Sequence, residues 1–133
     1  MRSPGQSRHA CTAIARERCR KFLEDAERIQ YLIPGISLYV DGVRTRAAFF
    51  VVVTDRGITV LYGGRFRRHT PKAVYDRLPR RTEIGPVEVH PSLGPVLSFA
   101  RLHLEIDEEY VSAVRAANLE GARDLPPDPL PDL

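Results

Sequence analysis

Residues 65–81, RFRRHTPKAVYDRLPRR, hold seven basic side chains against Asp76 alone. Arg65, Arg67, Arg68, Lys72, Arg77, Arg80 and Arg81 therefore give this stretch a local balance of +6, with Phe66 and Tyr75 interleaved. Clustered guanidinium groups bind carboxylates and phosphates in bidentate fashion, so the chemistry this pattern can do is recognition of an anionic surface. Arg44 and Arg46 stand in or beside the loop before the next hydrophobic run and extend the candidate set to Arg44, Arg46, Arg65, Arg67, Arg68, Lys72, Arg80 and Arg81.

Catalytic chemistry has far less to work with. His103-Leu104-Glu105 places a histidine and a glutamate on one face of a strand, the H-x-E spacing of zinc deaminases, but the P-C-x-x-C partner is absent. His9-Ala10-Cys11 offers two metal ligands where a structural zinc site needs four. None of His9, His69, His90 and His103 belongs to a nucleophile motif, and there is no GxxxxGK[ST] or GxGxxG phosphate loop. The expectation is no enzyme, no catalytic residue, no metal and no cofactor, with His103 and Glu105 the one pair to test if an activity is found.

The elements that position the bases follow from periodicity. Ala47 to Val53 is an unbroken apolar run rich in β-branched and aromatic residues, the pattern of a strand covered on both faces. Asp55-Arg56-Gly57 supplies a turn, with Gly57 expected in the left-handed region; Ile58 to Tyr62 returns as the second strand, and Gly63-Gly64 breaks it. Ile36 to Val40 reads as an earlier strand ended by Asp41-Gly42. Val74 to Leu78, 83–89 and 96–106 read as further short strands, with Pro86, Pro91, Gly94 and Pro95 confining the middle one to an edge.

Helical spacing brackets these strands. Over 10–33, Ala15, Cys19, Phe22, Leu23, Ala26 and Ile29 recur at three- and four-residue intervals, Glu24 and Arg28 form an i,i+4 pair, and Pro34-Gly35 is the expected stop. Packing on the sheet is the leading expectation for this amphipathic helix; a dimerising helix or a membrane-surface helix are the alternatives. Asp107 is the expected N-cap of a last helix over 108–120, with Tyr110, Val111, Val114 and Ala117 as its apolar stripe and Gly121 as its stop. Residues 1–9 are expected to be frayed, and 122–133 to form a disordered acidic, proline-rich tail.

Whole-chain properties bound the rest. The 133 residues suit one domain, and 43% apolar with 28% charged content is ordinary for a globular protein. The net charge of +3 divides unevenly: residues 106–133 carry seven acids against two bases, the remainder an excess of bases. Cys11 and Cys19 on one helix would lie about 12 Å apart, too far for a disulfide, which suits a reducing cytoplasm. No run of 18 apolar residues is present, and no apolar core follows the N-terminal arginines as a secretory signal requires.

One helix, five to seven short antiparallel strands and one closing helix imply an α+β, mainly β fold: a bent sheet or small barrel capped by the last helix. PGISLYV, then FFVVVTDRGITVLYGGRFR, then RLPRRTEIGPV resemble the bacterial pleckstrin-homology-like domains of actinobacterial type, over about residues 34–120, within a domain expected to span 34–121. The resemblance implies that fold with the 10–33 helix added to it, and candidate ligand loops at the open end of the barrel. Relatives of that fold hold inositol phosphates there; Arg44, Arg46 and the 65–72 loop are the matching positions, although the bases of that pattern lie between the first two strands, where this chain has Arg44 and Arg46 alone.

The functional expectation is a non-enzymatic cytoplasmic binding or scaffolding module that recognises a protein partner, or a second copy of itself, through its surface. Peripheral attachment to anionic lipid through 65–81 is the alternative, and a small enzyme the third. Nucleic acid is not expected, because no recognised motif accompanies the charge. The acidic 120–132 segment is also expected to mask the basic face, so that deleting 122–133 raises affinity for polyanions.

Overall fold

A computed structural model describes residues 13–64 and 70–123. The expected frayed residues 1–9, the start of the first helix, the basic stretch 65–69 and the tail from 124 onward lie outside the described residues. The remainder is α+β. Helix α1 (13–19) runs into a 3-10 turn at Arg20–Phe22. Eight strands follow: β1 (Ile29–Val40), β2 (Val43–Arg44), β3 (Ala48–Thr54), β4 (Ile58–Gly64), β5 (Ala73–Leu78), β6 (Val87–His90), β7 (Gly94–Phe99) and β8 (Leu102–Glu105). A second 3-10 turn, Glu108–Tyr110, leads into α2 (Val111–Arg123).

The strands form one open antiparallel sheet in the order β5-β4-β3-β1-β8-β7-β6, with the two-residue β2 paired to β1. Such a sheet with a C-terminal helix is compatible with a pleckstrin-homology-like fold. Strand β1 joins its two halves. Residues Ile29 to Ile36 pair with β3, and Ile36 to Val40 pair with β8, with an irregularity between Ser37 and Tyr39. The sheet changes partners at Ile36.

Both faces of the central strands are covered, as the unbroken apolar run requires. All seven residues of β3 are buried. Phe49, Val51 and Val53 face a core shared with Ile33, Leu97, Leu104 and, from α2, Val114 and Ala117. Phe50 and Val52 face the other way, onto Ala15 and Cys19 of α1 with Leu32 and Leu61. Small residues at 15 and 19 let α1 sit close against the sheet, and α1 is thus packed on this chain's own sheet. Cys19 is a free, fully buried thiol, and that burial pushes its pKa up to about 12.

The helix expected over 10–33 stops after Phe22, and 29–33 belongs to β1. Tyr31 and Ile33 face one core while Leu32 faces the other, so burial on both sides hides the two-residue alternation of a strand. Pro34 is no stop. It pairs with Phe50 in the part of β1 that precedes the β8 ladder, where β3 alone flanks the strand. The expected Glu24–Arg28 helix pair is replaced by contacts with the β3–β4 turn. Glu24 is ion-paired with Arg56, the Arg28 N–H donates to Asp55 Oδ1 (2.9 Å), and the Asp55 N–H donates to the Arg28 carbonyl (3.1 Å). Buried Glu27 accepts from the Thr54 hydroxyl and the Glu24 N–H.

Turn and cap chemistry departs from expectation in four places. Gly57 is not among the left-handed glycines; it is needed for space, because a Cβ there would sit 3.0 Å from the Leu78 carbonyl oxygen. Asp107 makes no side-chain cap, and α2 runs past the expected stop at Gly121 to Arg123, so 122 and 123, expected in the tail, are helical. The β7–β8 hairpin turns on Ala100 (φ 53°) and Arg101 (φ 64°), a two-residue loop with both central residues left-handed and neither a glycine. The Asp41 N–H holds this loop by donating to the Arg101 carbonyl (2.8 Å), and the Tyr75 hydroxyl donates to the Ala100 carbonyl (3.2 Å). Ala100→Gly relieves the Cβ strain and is expected to raise stability by up to about 1 kcal/mol, read as an increased thermal midpoint.

Candidate functional site

The sequence-predicted bases do not share one face. Lys72 precedes β5 and Arg80 and Arg81 follow it, so the six strand residues between them separate the two groups by about 20 Å. Arg65, Arg67 and Arg68 lie outside the described residues. Arg77 is tied down: its guanidinium donates to the Phe22 carbonyl (2.8 Å).

Arg80 is held inside the fold. Its side chain is 10% exposed and clamps α2 to the sheet: Nε donates to Gln30 Oε1 (3.1 Å), Nη1 donates to the Ala117 carbonyl (3.0 Å), and Nη2 faces Glu120 Oε2 at 3.6 Å. Gly121 makes room, since a Cβ there would lie 2.7 Å from Arg80 Nη1. The Tyr31 hydroxyl donates to the other oxygen of Glu120 (2.6 Å). That bond is the main reason the Tyr31 hydroxyl titrates above its ordinary range, burial adding to it and the Arg80 charge opposing it. Arg81 is exposed and stands beyond this clamp.

Arg44 and Arg46 are placed differently. Both are exposed, and among the described residues neither side chain has a hydrogen bond or ion pair. They stand on the connection from β2 to β3, whose backbone is stitched to β1: the Ser37 N–H donates to the Ala47 carbonyl (2.8 Å), and the Thr45 N–H donates to the Leu38 carbonyl (3.0 Å). The buried Ser37 hydroxyl takes bonds from the Ala47 N–H (2.9 Å) and the Thr45 hydroxyl (2.7 Å), so the connection's path is fixed from below. Lys72 belongs to the same end of the sheet, because Ala48 pairs with Gly64 and the Lys72 side chain lies over Gly64.

Beside this connection is a groove of about 750 Å³, whose lining includes Ile36, Leu38, Tyr39, Arg44, Arg46 and Leu93. Tyr39 is 45% exposed and Leu93 43% exposed, so two large apolar side chains stand in solvent next to two uncommitted guanidinium groups. Sequence reasoning found the arginines and missed Tyr39 and Leu93. The available signal for Leu93 was an apolar residue within the Pro91–Gly94 turn; for Tyr39 it was its position on a strand flanked by Asp41-Gly42.

The His103–Glu105 pair is not assembled as a pair. His103 Nδ1 lies 2.9 Å from Ser98 Oγ, its direct cross-strand neighbour, and the Tyr39 ring meets the imidazole edge-on at 6.1 Å between centroids. Glu105 is opposite Val96 and Ile36. Ser98 and His103 border a shallower depression of about 450 Å³ with Thr82, Glu83 and Arg101. Among the described residues no group of three or more His, Cys, Asp or Glu side chains could hold a metal ion, and no helix is long and apolar enough to cross a membrane. His9, Cys11 and His69 lie outside the described residues. Comparison of the chain with protein-family models, with curated proteins and with solved structures finds no match.

Proposed function

We propose that this chain is a pleckstrin-homology-like binding module of the bacterial, actinobacterial type, acting in the cytoplasm without catalysis and recognising an acidic segment of a protein partner. The observation that carries this reading is the placing of Arg44 and Arg46, exposed and without a side-chain partner among the described residues, with exposed Tyr39 and Leu93 around one groove. Arginine forks suit carboxylates, and an aromatic and a leucine beside them supply the apolar contact that a partner side chain buries. Each charge-assisted hydrogen bond contributes about 1.5–3 kcal/mol. Arg44→Glu/Arg46→Glu is therefore expected to weaken binding of a fluorescent peptide of alternating Glu and Leu by about tenfold or more, measured by anisotropy. Equal affinity of the two proteins contradicts the reading.

Attachment to anionic membrane is the second reading, favoured by Arg46 and Lys72 standing at the end of the sheet where β4 closes at Gly64 and by the three further arginines that follow in the sequence at 65–69. Co-sedimentation with phosphatidylglycerol vesicles separates the two. Lipid attachment through separate charges at the rim collapses as ionic strength rises, whereas a peptide seated on Tyr39 and Leu93 retains part of its affinity.

A further inference from the structure

We propose that the free edge of the sheet at β6 pairs with the same edge of a second copy of this chain, antiparallel and about a two-fold axis at Val89. The proposal goes beyond the groove reading and does not depend on it. The backbone register carries it. Strand β6 ends an open sheet, and β7 alone flanks it. The Ser98 N–H donates to the Pro86 carbonyl (2.9 Å), whereas the Pro95 carbonyl accepts from the Ile106 N–H (3.1 Å), on the side of β8. Bonded and non-bonded pairs alternate along an antiparallel ladder, so Glu88 and His90 direct their backbone groups at Val96 and Gly94 of β7. Val87 and Val89 therefore point their N–H and C=O groups away from the sheet. Among the described residues no backbone group outside the ladder bonds to them. Val89 is also the most exposed large apolar residue among those described, at 76%.

Charge names the occupant. Of the registers that set outward groups against outward groups, those centred on Val89 and on Glu88 overlap most of the strand. Centring on Glu88 stands two carboxylates face to face, a destabilising pair. Centring on Val89 instead sets Glu88 of each copy opposite His90 of the other, so the favourable contact is made twice. Both side chains are exposed on one face of the strand, with His90 Nε2 4.0 Å from Glu88 Oε2. Opposed residues have Cβ atoms about 4.5–5.5 Å apart, within reach of a carboxylate–imidazole hydrogen bond. In this register the Val89 N–H of each copy donates to the Val89 carbonyl of the other, and the two isopropyl groups cover each other. Pro86 and Pro91 bracket the strand and, lacking an N–H, hold the pairing to this short segment. Two-fold pairing uses up the edge in both copies, so growth at this edge stops at two.

The test follows amide hydrogen exchange in the isotope-labelled full chain at about 0.02 mM and about 2 mM, because so few contacts sum to millimolar-range association. The Glu88 and His90 amides, bonded within the ladder, are expected to be protected in both samples. The Val89 amide should exchange freely in the dilute sample and about twofold or more slowly in the concentrated one, where sedimentation equilibrium should show dimer. Val89→Pro removes a donor that the ladder with β7 does not use, so it is expected to keep the fold, read from its amide spectrum, and to abolish the dimer. His90→Glu sets carboxylate against carboxylate and should weaken the dimer about tenfold, and Glu88→His/His90→Glu should restore it.

A Val89 amide that exchanges freely at both concentrations overturns the proposal. A dimer that Val89→Pro leaves intact does so too, since the contact then lies elsewhere. Indifference to His90→Glu refutes the register centred on Val89. Protection of Val89 that appears only on adding the Glu–Leu peptide assigns the edge to an extended partner strand and likewise overturns self-pairing.

Discussion

Phe50→Ala is expected to lower the unfolding free energy by about 3–5 kcal/mol and to loosen α1 from the sheet. Phe50 is fully buried on the side of β3 that faces Ala15 and Cys19, between Leu32, Val52 and Leu61. Truncation removes the aromatic ring on which this second core is built, and a helix whose inward residues are alanine and cysteine cannot move in to fill the space. The Cys19 thiol reports the outcome site by site. In the native protein, burial and a pKa of about 12 leave almost no thiolate at pH 8, so in a Cys11→Ser background Cys19 should resist disulfide reagents until the chain unfolds. In Phe50→Ala the reaction should become fast well before global unfolding by urea. A thiol that stays protected would mean that α1 is held by something other than this core.

Arg80→Ala is the second large effect, about 3 kcal/mol, because it removes a nearly buried cation that reaches Gln30, the Ala117 carbonyl and Glu120 at once. Urea midpoints should fall in the order wild type, Arg80→Lys, Arg80→Ala, since lysine keeps the charge but not the fork. The same cluster gives a signed pH effect. Tyr31 donates to Glu120, and its folded pKa lies above the ordinary value of 10.0. Its contribution is therefore complete below the ordinary value and is lost as pH rises through the raised one. Glu120→Gln should bring the Tyr31 titration down, whereas Arg80→Ala, which removes the opposing charge, should take it further up. An unmoved titration in both variants would contradict the clamp.

The central hairpin was legible because its burial is written twice. An apolar run without alternation means two covered faces, and β3 and β4 pair as the run and its turn imply, with Val53 opposite Ile58. That same two-sided burial made the first half of β1 illegible: 29–33 mixes inward residues for both cores and reads as a helix. The β7–β8 hairpin left no mark either, because its left-handed turn uses Ala100 and Arg101 and is held by Asp41 and Tyr75 from distant parts of the chain.

The candidate site divides in the same way. Arg44 and Arg46 could be picked out by charge and by their place beside a loop. Arg80 looked the same in sequence, and only the close approach of α2 at Gly121 separates a structural cation from a free one. Tyr39 and Leu93 are apolar residues like many others until the fold leaves them uncovered.

The most direct measurement of the binding account is a residue-resolved titration of the isotope-labelled full chain with the Glu–Leu peptide, followed by the same titration with phosphatidylglycerol vesicles. The account predicts peptide-induced shifts centred on Tyr39, Arg44, Arg46 and Leu93 that are lost in Arg44→Glu/Arg46→Glu. Shifts confined to Lys72 and the 65–69 connection, produced by vesicles and not by peptide, would contradict it.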